Sequence, residues 1–369
     1  MGYTRAGTGT LTDAQQRVLK VITELGSASP NQLWAFADLG IGKVMIQRHL
    51  KSLVATGLVA KLGSPPRVFY VPIRTDLPTN SELYAQVAAF TATDQQQLVL
   101  NKSFGFDADF TLYRGTEAFK RWFLQKQVPG LIKQKSQRHP LQDQVRDNYE
   151  TLLASFISRR EDVALAVDAR LGVIDATDRY RSIHASDVIK RVFYQDFYSL
   201  PQFGKSLLGL IVQKAKVGEQ SSLSYIAELS DLLQQTLPRL AAAFQCDGCA
   251  WVPHTLKRAH ALQDLLQKSV DLRLHKIALT KVVAGDVVPQ KSLSDLDQRL
   301  HNAFVTNHVS EAPAVLRRLK SILLIDDAIG SNATIQAIGQ KIKTVNPKIS
   351  IYAYAPVGSF KGFDVVRDI

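Results

Sequence analysis

Asp326-Asp327 carries the strongest chemical signal in the chain because of what stands on either side of it. A continuous apolar run, Ser321-Ile322-Leu323-Leu324-Ile325, ends at the two acids, and Ala328-Ile329-Gly330-Ser331-Asn332-Ala333-Thr334 follows them. Beyond that loop, Ile335, Ile338 and Ile342 fall at helical spacing. The pattern predicts a buried strand that delivers two carboxylates to its carboxyl-terminal edge and enters a helix through a small-residue loop. Amides at such a helix N-terminus attract phosphate, and the Ser331 and Thr334 hydroxyls add donors. Carboxylates fixed beside that loop can accept sugar hydroxyls or help hold hydrated Mg2+.

Cys246-Asp247-Gly248-Cys249, with His254 and His260 downstream, offers a second set of potential ligands, in this case for zinc. Trp251 to Pro253 reads as a core strand between the cysteine and histidine pairs, which would splay them apart. Buried thiols flanking a strand are therefore expected, and no zinc.

The acidic block resembles the phosphoribosyl-pyrophosphate motif of type I phosphoribosyltransferases, in which two acidic residues precede a Thr/Ser-Gly-rich loop. Further segments resemble the ComF-like branch of that family. Phe203-Gly204-Lys205-Ser206-Leu207-Leu208-Gly209-Leu210-Ile211, with Lys214, Lys216 and Gly218, is similar to its opening segment. Ala250-Trp251-Val252-Pro253 followed by Arg258 is similar to its first core strand and loop. Gln290, Leu293, Arg299 and Asn302 stand at the spacing of its Gln-x-x-Leu…Arg-x-x-Asn-x-x-Phe stretch, with Phe304 one position short of its final aromatic. The resemblance spans residues 196–357 and implies an α/β domain with a parallel sheet. It implies that Asp326 and Asp327 hold the ribose hydroxyls and a Mg2+ ion, and that Gly330, Ser331, Asn332, Ala333 and Thr334 cradle the 5′-phosphate. It also puts Lys257 and Arg258 where pyrophosphate binds, and Lys281, Gln290 and Arg299 on or near a flap that closes over the substrate. In such transfer the ribose–pyrophosphate bond breaks through a cation-like transition state, so catalysis rests on neutralising the leaving group and excluding water. One position departs from the family: Asn332 stands where Gly is usual. Asn tolerates left-handed backbone geometry, but its side chain could crowd the phosphate.

The first seventy-five residues carry nine of the Lys/Arg side chains and three of the acids, half of the chain's net +12. Thr12-Asp13-Ala14-Gln15 reads as a capping box opening a helix through Val18, Ile22 and Leu25, and Ser29-Pro30 opens a second. In a third helix, Ile46, Leu50 and Leu53 form an apolar stripe with Lys43, Gln47, Arg48 and Lys51 opposite. Two short strands, Leu58–Leu62 and Arg67–Val71, follow. Residues 11–73 resemble the winged helix-turn-helix domain, most closely over Arg48-His49-Leu50-Lys51-Ser52-Leu53-Val54-Ala55-Thr56-Gly57-Leu58-Val59. The resemblance implies that Lys43, Gln47, Arg48 and Lys51 face a major groove and that Lys61 and Arg67 touch phosphate from the wing. Basic and polar residues, rather than apolar anchors, on that face favour nucleic acid over a protein partner.

At 369 residues, 46% apolar and 21% charged, the chain has the composition of a globular protein of two or three domains. The expected division is a winged helix over 1–75, a mainly helical connecting region over 76–195 and the phosphoribosyltransferase-like domain over 196–369. The middle region predicts helices over 81–90, 116–127 and 142–158 and a hairpin around Gly172. Tyr113-Arg114-Gly115-Thr116 matches no chemical mechanism, and the aromatic cluster Phe193-Tyr194-Gln195-Asp196-Phe197-Tyr198 suggests core or interface packing rather than base stacking. The longest apolar run, Leu207 to Val212, falls far short of the ~20 residues of a membrane span. With no apolar signal segment and only two cysteines, a cytoplasmic location and no membrane partner are expected.

Three functions stay open at this point. The combination is similar to winged-helix phosphoribosyltransferase-like proteins of retron-type antiphage systems, which would make a reverse transcriptase and its RNA–DNA product partners. It is similar in its parts to purine-operon repressors, which would make it a DNA-binding regulator sensing a phosphoribosyl ligand without catalysis. An adaptor using both pockets for assembly is the third. Both resembled families commonly pair, so a homodimer is expected.

Overall fold

The computed structural model describes residues 11–25, 27–36, 39–56, 58–62, 68–72, 81–108, 111–134, 141–254, 261–282, 293 and 295–361. The chain divides into two compact units, Met1–Ala85 and Gln86–Ile369.

The first unit holds α1 (Asp13–Leu25), α2 (Pro30–Ala35) and α3 (Lys43–Ala55), then the antiparallel pair β1 (Val59–Leu62) and β2 (Phe69–Pro72). Reciprocal capping bonds start α1, with Thr12 N donating to Gln15 Oε1 at 2.8 Å and Gln15 N to Thr12 Oγ1 at 3.3 Å. Ser29 and Gln32 cap α2 in the same way, with Pro30 in its first turn. Val18, Ile22, Leu33, Ile46, Leu50, Leu53 and Val59 close the unit's core. Burying that stripe fixes the rotation of α3 and turns its polar face to solvent.

After β2 in the chain comes α4 (Ser81–Ala89). The second unit continues with α5 (Asp94–Ser103), the hairpin β3 (Gly105–Ala108) and β4 (Thr111–Arg114), α6 (Gly115–Lys126), α7 (Val128–Gln134) and α8 (Leu141–Leu165). Next come β5 (Val167–Asp168), β6 (Val173–Asp175), α9 (Thr177–His184), β7 (Arg191–Phe197), β8 (Ser199–Leu200), β9 (Gly204–Lys205), α10 (Leu207–Ala215) and α11 (Leu223–Ala243). Then follow β10 (Gly248–Trp251), α12 (Leu262–Ser269), β11 (His275–Lys276), β12 (Leu279–Lys281), α13 (Leu296–Thr306) and β13 (Asn307–Val309). The last elements are α14 (Pro313–Leu316), β14 (Ser321–Ile325), β15 (Ala328–Ile329), α15 (Ala333–Val345) and β16 (Ser350–Gly358).

Eight strands form the central sheet in the order β11-β10-β14-β16-β7-β6-β5, with β15 pairing alongside β16. All neighbours from β11 to β7 are parallel, whereas β6 and β5 add an antiparallel edge. The protein is therefore mixed α/β around a mainly parallel sheet.

Position 195/196, expected as a domain boundary, falls inside β7, which pairs with β16 on one side and β6 on the other. The expected connecting region thus supplies part of the sheet's interior. Phe193, Tyr194 and Phe197 are fully buried in this strand. A strand covered on both faces has no alternating pattern to betray it, so its residues read as a mere aromatic cluster. The other unexplained motif is also structural. Arg114 donates two hydrogen bonds of 2.7 Å to Glu228 of α11. Gly115 adopts φ 64, and a Cβ there would stand 1.8 Å from Asn101 Oδ1.

The segment resembling a phosphoribosyltransferase opening folds by a local rule. Ser206 caps α10, accepting from Gly209 N at 3.0 Å while donating to Phe197 O at 2.6 Å. Gly209 lets the helix sit directly on the chain after β7, since a Cβ there would stand 2.2 Å from the Tyr198 carbonyl oxygen. Gly209→Ala must push backbone from backbone, so it is expected to destabilise the fold by about 1–3 kcal/mol in chemical denaturation. An unchanged midpoint would show that α10 is not held this closely.

Candidate functional site

β14 is buried along its whole length between β10 and β16, and its end carries Asp326 and Asp327 to the carboxyl edge of the parallel strands. The pair is locked by backbone: Asp326 N donates to Tyr354 O at 3.0 Å, and Asp327 N donates to Asp326 Oδ1 at 2.8 Å. The loop beyond is pinned where β15 pairs with Val357 and Gly358 of β16. Gly330 is exposed with open space around it, and Ser331 follows. Asn332 then turns the chain into α15 at φ 61, ψ 5. The left-handed geometry that glycine would supply is thus adopted by asparagine. Its side chain is buried, with the residue only 4% exposed, and neither carboxamide atom has a hydrogen-bond partner among the described residues. Ala333 and Thr334 open the first turn of α15, a helix of 13 residues whose leading amides have no intrahelical acceptor and no side-chain cap from Asn332.

α9 and the chain after it brace this loop, and no sequence signal pointed to them. His184 Nε2 lies 2.7 Å from the Ser331 carbonyl oxygen. A carbonyl only accepts, so Nε2 carries the proton; burial lowers the imidazole pKa and favours this neutral form. Tyr180 bonds to Gln336 in α15 and accepts from Ile189 N at 3.2 Å, while Gln336 Nε2 donates to Ser186 Oγ at 3.2 Å.

The acids are met by cations from separate elements. Lys216, directly after α10, sets its Nζ 2.8 Å from Asp327 Oδ1. Gln263 of α12 donates to Asp327 Oδ2 at 2.9 Å. Lys281 of β12 lies within electrostatic reach of both carboxylates; burial lowers its pKa and the two acids oppose that. Asp326 is partly open at the strand edge, yet the surrounding protein strips it of water. That desolvation, and then the Asp327 charge, push its carboxyl up to about 7, against the pull of Lys216 and Lys281. Nearby Lys214 is committed elsewhere, to Asp107 at 2.8 Å.

Of the other expected site residues, Arg299 lies on α13 with its Nε donating 2.7 Å to the Leu293 carbonyl. Lys257, Arg258 and Gln290 fall outside the described residues, as does Arg67 of the expected wing. Lys43, Gln47, Arg48 and Lys51 are all exposed on α3, and Lys61 on β1. That face is not purely polar, contrary to expectation. Val44 and Met45 are exposed at the start of α3, and Lys43 Nζ stands 3.7 Å over the ring of Trp34, itself 52% exposed. The stripe at Ile46, Leu50 and Leu53 fixes the inner face, and it leaves these apolar neighbours outside.

Cys249 lies within β10 and Cys246 just before it, both buried, and burial pushes each thiol up to about 11. His254 is past the strand's other end, with Nδ1 3.6 Å from Asp264, and His260 is outside the described residues. Among the described residues, no group of three or more His, Cys, Asp and Glu is placed to hold a metal. For magnesium, two hard carboxylates at a strand end beside a helix N-terminus are a fitting donor set, because that ion takes oxygen ligands and keeps several of its waters.

No protein-family model matches the chain, and no curated protein matches it in sequence. No helix among the described residues is long and apolar enough to cross a membrane.

Because the fold favours protonated Asp326, this group's contribution to stability is complete below the ordinary carboxylate pKa of 3.8 and is lost as pH rises through about 7. Asp326→Asn keeps the neutral shape at every pH. The variant is expected to be more stable than the parent by about 1–2 kcal/mol at pH 8 and by less at pH 5. Thermal unfolding at both values checks this, and equal or reduced stability at pH 8 would refute it.

Proposed function

We propose that this chain is a nucleic-acid-tethered, phosphoribosyltransferase-like protein that binds phosphoribosyl pyrophosphate or a related nucleotide. In this reading the first unit is a winged helix-turn-helix domain, and the parallel sheet of the second is a phosphoribosyltransferase core with helical additions. The observation that carries it is the junction of β14 and α15. Two carboxylates stand at the end of a buried parallel strand, beside a left-handed turn into a helix N-terminus, with two lysines facing them.

The parts suit the ligand's chemistry. Gly330 to Thr334 and the α15 amides receive the 5′-phosphate, held in shape by the His184 bond to Ser331. Asp326 and Asp327 accept the ribose hydroxyls, and Lys281 lies close enough to neutralise charge that develops on departing pyrophosphate. Bound magnesium, held by Asp326 and Asp327, would add neutralisation of the pyrophosphate oxygens. The exposed Lys43, Gln47, Arg48 and Lys51 give the tether its phosphate-facing side. An effector of a retron-type defence system and a ligand-sensing DNA regulator both use these parts; they differ in whether the bond is broken.

The deciding measurement is calorimetric binding of phosphoribosyl pyrophosphate with Mg2+, followed by pyrophosphate release, for the parent and the Asp326→Asn/Asp327→Asn variant. Binding lost in the folded double variant supports the reading, and release lost with it identifies an enzyme. Saturable binding without release identifies a sensor. Equal behaviour of parent and variant would sink the proposal.

For the tether, Arg48→Ala/Lys51→Ala is expected to weaken duplex binding and to lower the slope of log affinity against log salt by about 2. An unchanged slope would remove those residues from the interface.

A further inference from the structure

Lys216 occupies the position on Asp327 that a cation would need. Its backbone is fixed at the end of α10, where Lys216 N donates to Val212 O at 3.1 Å. From there its Nζ reaches Asp327 Oδ1 at 2.8 Å, while Gln263 holds the other oxygen at 2.9 Å and Asp326 Oδ1 accepts from Asp327 N at 2.8 Å. Oxygens at the mouth of the loop are therefore already engaged. Asp327 is the more enclosed partner, at 17% side-chain exposure against 30% for Lys216, so the lysine is the member with room to leave. Its four-carbon stem is flexible and carries a compact charge.

We propose that Lys216 is a built-in counter-ion for Asp327, and that a divalent cation binds there only by exchanging with it. This rests on the reading of Asp326 and Asp327 as a cation- and ribose-binding pair. A divalent ion must come within ~2.1 Å of a carboxylate oxygen, and an ammonium on the same oxygen would face it across a desolvated gap. Repulsion between the two charges disfavours sharing Oδ1. Without the ion, the Lys216 ammonium offsets the Asp327 carboxylate. With the ion bound and Lys216 released, the pocket gains positive charge where a polyphosphate enters. Cation affinity is thus held down in the empty pocket, and the released ammonium is available to the incoming anion.

The test is Mn2+ binding to the full chain, read from the loss of the free-ion electron paramagnetic resonance signal without any organic ligand. Lys216→Met is expected to bind Mn2+ at least tenfold more tightly than the parent, and adding Asp327→Asn to either is expected to abolish binding. Lys216→Gln keeps a hydrogen-bond donor without the charge and must tighten binding as well, which covers a folding defect in the methionine variant. Mn2+ affinity in both Lys216 variants equal to or below the parent's would overturn the exchange. If phosphoribosyl pyrophosphate binding still depends on the two acids in that case, the functional reading stands and only the role of Lys216 fails. If neither Mn2+ nor phosphoribosyl pyrophosphate binding responds to the acids, both fall.

Discussion

Two carboxylates held side by side at the edge of a buried parallel sheet set the terms for everything around them. The sheet's hydrogen bonds fix where β14 ends, so Asp326 and Asp327 cannot move apart or retreat into water. Their mutual repulsion and desolvation must be answered by groups brought in from elsewhere. α10 brings Lys216, α12 brings Gln263 and β12 brings Lys281, so three elements with no shared local pattern converge on one strand end. Sites with this kind of enforced electrostatic strain are where functional groups concentrate.

The loop between β15 and α15 is likewise stabilised from outside itself. Asn332 takes a left-handed conformation that costs an asparagine less than most residues, and β15 anchors the loop's start to β16. His184 and the Tyr180–Gln336–Ser186 network hold its far side through α9. The loop can therefore keep a cradle shape without the glycine expected at position 332.

What the sequence made legible was what is local. The capping boxes at Thr12 and Ser29, the stripe along α3 and the strand–acid–loop–helix order around Asp326 are all written within short windows, and each forms as read. β7 escaped because burial on both faces erases alternation. Gln263 and His184 escaped because their partners lie 64 and 147 residues away, and nothing in a helical glutamine or a lone histidine announces such a contact. The exposure of Val44 and Met45 beside the polar residues of α3 has a subtler reason. A helix of this size buries only a narrow stripe, and apolar residues beside that stripe stay outside.

The course of β7 through the sheet has a practical meaning for any attempt to isolate the carboxyl-terminal half of the chain. β7 fills the gap between β16 and the antiparallel edge formed by β6 and β5. A fragment starting at residue 196 would lack most of that strand, α9 and its brace on the loop. It would also leave β16 with a long unpaired edge of apolar residues, an open template for pairing with another copy. Severing the chain at residue 196 would yield an adhesive half-sheet in place of a closed one.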